Sequence, residues 1–135
     1  MTDYLDLDDL LAAAQAAVGG IPEIRDIGLL QSAAARPQAT AFGEEAYRDL
    51  DSKAAALLHA IVAGHPLVDG NKRLGWVATR LFYRLNGADL VADPNDAFDL
   101  VVAVARGQLI DVPAIATRLT RWRRPLTESP PAVED

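Results

Sequence analysis

Cysteine is absent, so disulfides, thiol nucleophiles and thiolate metal sites are all excluded, which fits a reducing compartment. Lysine is almost absent as well: of 13 basic residues only Lys53 and Lys72 are lysines, and histidine occurs only as His59 and His65. No apolar run approaches the roughly 18 to 20 residues needed to cross a bilayer. The acidic start MTDYLDLDD lacks the basic region of a secretory signal, so a cytoplasmic protein is expected. A formal charge of -6 argues against a non-specific nucleic-acid binder, whose affinity comes from basic surface.

What is present reads as one domain. At 135 residues, half of them hydrophobic, the chain can bury a single core. That domain is expected over residues 1–124, with a disordered Pro-rich tail over 125–135.

Helical signals dominate. Asp6 as N-cap and Gly19-Gly20 as stop bound a first helix to Val18; a second runs from Ile27 to Ala35 and ends before Pro37. From Leu50 to Gly64 the chain is apolar nearly all round, which predicts a central, buried helix. Leu74, Val77, Ala78, Leu81, Phe82 and Leu85 recur at three- and four-residue steps, giving a helix from about Gly70 to Asn86 that Gly87 terminates. Asp93-Pro94 opens a helix to about Arg106, and Asp111 caps a last one through Trp122. Period-two alternation is limited to short stretches near 38–42 and 88–92. The expected fold is mostly α, with about six helices packed around the central buried one and a short flap or hairpin near residues 36–44.

The chemistry concentrates in His65-Pro66-Leu67-Val68-Asp69-Gly70-Asn71-Lys72-Arg73, between the two best-defined helices. A helix N-terminus offers unpaired backbone N–H groups and a partial positive charge, and Gly70 lets a ligand approach the backbone. Lys72 and Arg73 oppose the helix dipole in that first turn, a violation that bound phosphate would relieve. Asp69 can serve as N-cap, as Mg²⁺ ligand, or as both in turn. An imidazole can accept a proton near neutral pH, so His65 suits a general base acting on a hydroxyl, whereas His59 sits one helix earlier and reads as core packing. Arg118, Arg121, Arg123 and Arg124 crowd seven residues; they fit either a solvated helix end facing the dipole or a surface for an acidic partner.

HPLVDGNKR resembles the signature of the Fic/Doc (Fido) superfamily, and lysine after asparagine followed directly by arginine is similar to its death-on-curing (Doc) branch. IRDIGLLQSAAARPQATAFGEEAYRDL, KAAALLHAIVAGHP and LFYRLNG extend the likeness over about residues 4–123. The resemblance implies a Fido fold and a type II toxin that moves the γ-phosphoryl of ATP or another nucleoside triphosphate, with Mg²⁺, onto a protein hydroxyl. The implied acceptor is a threonine of elongation factor Tu, so that translation stops. His65 would be the base, Asp69 the Mg²⁺ ligand or nucleophile-orienting group, and Gly70, Asn71, Lys72 and Arg73 the phosphate binders.

Two positions depart from the family pattern. Leu67 stands where phenylalanine is usual, and Trp76 where AMP-transferring Fic proteins carry a second arginine. In those relatives a glycine at the Lys72 position helps hold the outer phosphates. A lysine there implies the reversed nucleotide and hence phosphorylation. Nucleotidyl transfer of the Fic type, and an inactive Fido domain kept as an antitoxin-binding module, are the alternative readings. Thr40 to Glu44 is the nearest approach to an inhibitory Ser/Thr-x-x-x-Glu motif and lies outside a helix, which implies inhibition in trans by a Phd-like antitoxin.

Overall fold

The computed structural model describes residues 1–126. Six α-helices run in chain order: α1 Leu7–Val18, α2 Ile27–Ala35, α3 Leu50–Gly64, α4 Asn71–Leu85, α5 Pro94–Ala105 and α6 Val112–Trp122. Four short strands accompany them: β1 Thr40–Ala41, β2 Glu44–Glu45, β3 Ala88–Leu90 and β4 Arg123–Pro125. The architecture is the mostly helical one expected of a Fido fold.

Local chemistry sets the helix ends. Asp6 accepts from Asp9 N–H at 2.9 Å while Asp9 accepts from Asp6 N–H at 2.9 Å, a reciprocal capping box; Gly19 stops α1 in the left-handed conformation. Asp49 caps α3 through Ser52 N–H at 2.8 Å, and Asp93 caps α5 with Pro94 at its first position. Asp111 occupies the N-cap position of α6 without making a side-chain cap bond. The helix expected from Gly70 starts at Asn71, because Gly70 is the N-cap and holds a positive φ of 91°.

α3 is the hub. Ala54 to Leu58, Ile61 and Val62 are fully enclosed, packed by α4 and α6, with α2 and α5 closing the sides and α1 lying on α4. Each large aliphatic side chain buried here contributes about 1.5–3 kcal/mol relative to exposure. Asp51, buried in α3, accepts from the buried Tyr83 Oη at 2.7 Å and, toward the surface, from Thr120 Oγ1 at 2.8 Å, with the exposed Arg123 Nε at 3.5 Å. Among the described residues no buried side-chain polar atom lacks a partner.

The short strands pair differently from a simple 38–42 with 88–92 match. β1 and β2 form a hairpin, Thr40 opposite Glu45, while β3 pairs antiparallel with β4, Leu90 opposite Arg123. β4 takes in Pro125, and Leu126 N–H donates to Gly87 O at 3.0 Å, so ordered backbone pairing continues past the boundary expected at residue 124. The remainder of the expected tail, residues 127–135, lies outside the described residues. Near the other terminus, Asp3 N–H donates to Asn86 Oδ1 at 2.8 Å and Asn86 Nδ2 to Asp3 O at 2.9 Å, fastening the N-terminal segment to the far end of α4. Among the described residues no helix is long and apolar enough to cross a membrane.

Candidate active site

α3 ends on His65, which is the C-cap and adopts the left-handed conformation with φ 54° and ψ 58°. That conformation is uncommon for a residue bearing a β-carbon, and it turns the chain sharply out of the helix at the imidazole. Pro66 and Leu67 then dive back into the core; Leu67 is buried, so an aliphatic side chain fills the anchor position. The segment before α2 lies alongside as a splint: Arg25 and Asp26 N–H groups donate to Pro66 O, Val68 N–H donates to Glu23 O at 2.9 Å, and Ile24 bridges Leu67.

Asn71 locks the other half of the loop. Its Oδ1 accepts from Leu67 N–H at 2.8 Å and its Nδ2 donates to Leu67 O at 2.9 Å, both in a buried setting. The Asn71 side chain thus braces the loop, while its backbone N–H, without an intrahelical partner, lies at the amino end of α4. Asp69 is exposed and accepts from Gly70 N–H at 2.9 Å rather than capping the helix, which corrects the N-cap reading.

Gly70 is demanded twice. Its φ is 91°, and a β-carbon there would stand 2.7 Å from Val18 Cγ1 at the end of α1. The first intrahelical bond of α4 runs from Leu74 N–H to Gly70 O, leaving the N–H groups of Asn71, Lys72 and Arg73 without intrahelical partners. Lys72 and Arg73 are exposed, and Arg73 Nη1 donates to Ala17 O at 3.3 Å.

These groups open onto one cavity of about 760 Å³. His65 and the run Asp69 to Arg73 form its polar end; Trp76, Val77, Leu90, Val91, Phe98 and Val101 form an apolar wall from α4, β3 and α5. A volume of that size accommodates a nucleotide-sized ligand. Trp76 also packs edge-on against Trp122 of α6, with centroids 6.1 Å apart. The structure thus brings His65, Asp69, Gly70, Asn71, Lys72 and Arg73 to a single mouth.

A sequence model of the Fic/DOC family matches residues 4–83, a span that includes the whole loop. The chain belongs to the Fic/DOC family. Two relatives extend the Fic/DOC likeness along the chain. "Toxin Doc" of Mycolicibacterium smegmatis is 48% identical over 121 residues, covering 88% of this chain and 92% of the relative. "Protein kinase doc" of Escherichia phage P1 is 34% identical over 121 residues, covering 87% and 94%. Both are Doc proteins, so the chain stands on the Doc side of the Fic/DOC family.

Around this Fic/DOC loop, other expected features fall into place or move. His59 is half-buried and more than packing: Arg36 Nη1 lies 2.8 Å from its Nδ1, and because a guanidinium only donates, that nitrogen accepts. Burial first, and the Arg36 charge second, lower its pKa. The flap expected near 36–44 is a 3₁₀ turn, Arg36–Gln38, followed by the β1–β2 hairpin, whose tip places Phe42 fully in solvent. Sequence reasoning missed Lys53, which is 1% exposed and ties that hairpin to α3 through Glu45 Oε1 at 2.9 Å and Tyr47 O. It also missed Arg25; the only signal was its place in the IRDIGLL stretch that carries the family likeness.

Proposed function

We propose that this protein is a toxin of a type II toxin–antitoxin system that transfers the γ-phosphoryl group of ATP, or another nucleoside triphosphate, to a protein hydroxyl. The acceptor in this reading is a threonine of elongation factor Tu, and its modification blocks translation. One observation carries the proposal: His65 and the unpaired amino end of α4, with Lys72 and Arg73, face the same cavity.

The roles follow from charge and geometry. The free N–H groups of Asn71, Lys72 and Arg73, the positive end of the α4 dipole and the two cationic side chains hold the phosphates. Gly70 supplies the close backbone approach, which its own steric demands already require. Asp69, the exposed carboxylate at the mouth, would be the residue to hold Mg²⁺. When bound, that ion neutralises charge developing on the phosphoryl oxygens.

His65 takes the proton of the acceptor hydroxyl as the hydroxyl oxygen attacks the γ-phosphorus. The bond from that phosphorus to the bridging oxygen breaks, and the nucleoside diphosphate leaves with the electron pair. Lys72 supports γ- over α-transfer, because by the family resemblance a lysine there would take the space in which a glycine lets the outer phosphates settle. The relative from phage P1 bears the name of a protein kinase, and the one from Mycolicibacterium smegmatis that of a toxin. A Phd-like antitoxin is the partner that completes the system, restraining the toxin in trans.

The experiment is incubation with elongation factor Tu and ATP carrying label at the γ- or the α-phosphate. Label from γ-ATP on the factor is expected, with none after His65→Ala. Label from α-ATP instead would make the protein a nucleotidyl transferase. Expression gives a second check: wild type arrests growth and His65→Ala does not, and equal behaviour of the two would remove His65 from the mechanism.

A further inference from the structure

The loop carrying His65 is held from outside by one side chain that the chemistry above does not use. Arg25 Nε donates to His65 O at 2.6 Å and Arg25 Nη2 to Gly64 O at 2.9 Å. Among the described residues these two carbonyls take no other donor. They are the last carbonyls of α3, which the helix cannot satisfy internally and which lie at its negative dipole end. A guanidinium matches them with two donors in one rigid plane.

We propose that Arg25 is a positioning residue that fixes the left-handed His65 backbone and thereby aims the imidazole into the cavity. The left-handed conformation at a residue with a β-carbon persists only where the surroundings over-determine it. Arg25 does this from both levels of its structure. Its backbone N–H donates to Pro66 O at 2.8 Å, so the segment is already docked on the loop, and its side chain reaches back to the two preceding carbonyls. The result is a clamp across Gly64, His65 and Pro66 made by a single residue.

The clamp acts on the direction of the base and leaves the phosphate end alone. Arg25 does not line the cavity, and Asn71 independently braces the α4 side of the loop. Loss of the guanidinium therefore lowers turnover while nucleotide affinity stays.

This inference rests on the phosphotransfer reading, and the test separates the two. Arg25→Met and Arg25→Lys are compared with wild type in transfer from ATP and by NMR of the His65 Cα and Cβ shifts, which report the left-handed backbone without any turnover. In Arg25→Met, kcat is expected to fall about 10²-fold, as for a misplaced reacting group, with an unchanged KM for ATP and altered His65 shifts. Arg25→Lys, with a point charge in place of the fork, is expected to fall between the two in both readouts.

Wild-type kcat and His65 shifts in either variant would overturn the proposal, and so would a raised KM for ATP at unchanged kcat, which would make Arg25 a phosphate ligand. If Arg25→Met does not fold, Arg25→Lys decides alone by the same criteria. If wild type transfers no phosphoryl group, the functional reading fails, and the His65 shifts still decide whether Arg25 sets that backbone.

Discussion

Gly75 on α4 and Val62 on α3 stand so close that a β-carbon on the glycine would overlap Val62 Cγ2, with Leu58 Cδ1 at 3.1 Å behind it. The two helices that frame the loop therefore meet backbone to side chain. Gly75→Ala is expected to destabilise by about 1–3 kcal/mol, the usual cost of overpacking, despite alanine's better helix propensity. Denaturant midpoints measure it, and Val62→Ala in the same chain should recover part of the loss. A stabilised Gly75→Ala would show that the crossing can relax.

Asn71→Ala removes both hydrogen bonds to Leu67 in a buried setting. A loss of about 1–3 kcal/mol is expected for each backbone group left without a partner. Asn71→Asp should be worse at neutral pH, because a carboxylate cannot donate to Leu67 O. Chemical denaturation checks both. Wild-type stability combined with weakened ATP binding would instead assign the side chain to phosphate.

Lys53→Met should release the hairpin while keeping the helix packed. Lys53 carries its charge almost wholly inside the protein; burial opposes that charge, but the ion pair with Glu45 and the neighbouring Tyr4 outweigh it and raise the pKa. Hydrogen exchange at Ala46, whose N–H donates to Ala39 O at 2.9 Å, is expected to quicken by at least tenfold. Unchanged exchange over residues 40–47 would mean that Arg36 and Tyr47, joined at 3.1 Å, suffice to hold the flap.

Asp89 gives the acid side of the stability profile. Its bond to Arg80 chiefly, against some opposition from burial and with help from Arg84 and Leu90 N–H, holds its carboxyl well below the ordinary value of 3.8. A depressed folded value means that the unfolded chain takes up the proton first. The stability from this cluster is thus complete above pH 3.8 and drains as pH falls toward the depressed value. Asp89→Asn should lower stability at pH 7 and flatten the curve between pH 4 and pH 2; a parallel curve would show that the arginines contribute nothing there.

The helices were legible because their ends are written in adjacent residues. Asp6, Gly19, Asp93 with Pro94, and Gly87 each act on a turn within four positions, and the structure places α1, α2 and α3 on the residues read from sequence. The polar end of the cavity could be located for a similar reason, since His65 and Asp69 to Arg73 lie within nine consecutive residues, whereas its apolar wall, drawn from separate elements, could not. What stayed hidden is long-range. Arg25 reaches His65 across 40 positions and Thr120 reaches Asp51 across 69, and no local pattern records such a pairing.

The arginine-rich end shows the same limit. Arg118 stacks over Trp122 at 6.0 Å, Arg123 approaches Asp51, and Arg124 bonds the Arg121 and Arg123 carbonyls at 2.9 Å each. Part of what looks like a free basic patch in one dimension is engaged by the chain's own groups at the surface, where Arg121, Arg123 and Arg124 stay exposed. The bracing role of Asn71 stayed hidden for the same reason, since its two bonds to Leu67 exist only once the loop has folded.

The Asp3–Asn86 fastening has a practical reach. α4 spans 15 residues, so about 22 Å of helix separates the end that follows the His65–Gly70 loop from the end where the N-terminal segment is pinned. A fluorophore, affinity handle or surface linker joined ahead of Met1 would therefore sit about a helix length from the His65–Arg73 loop and leave that loop uncovered.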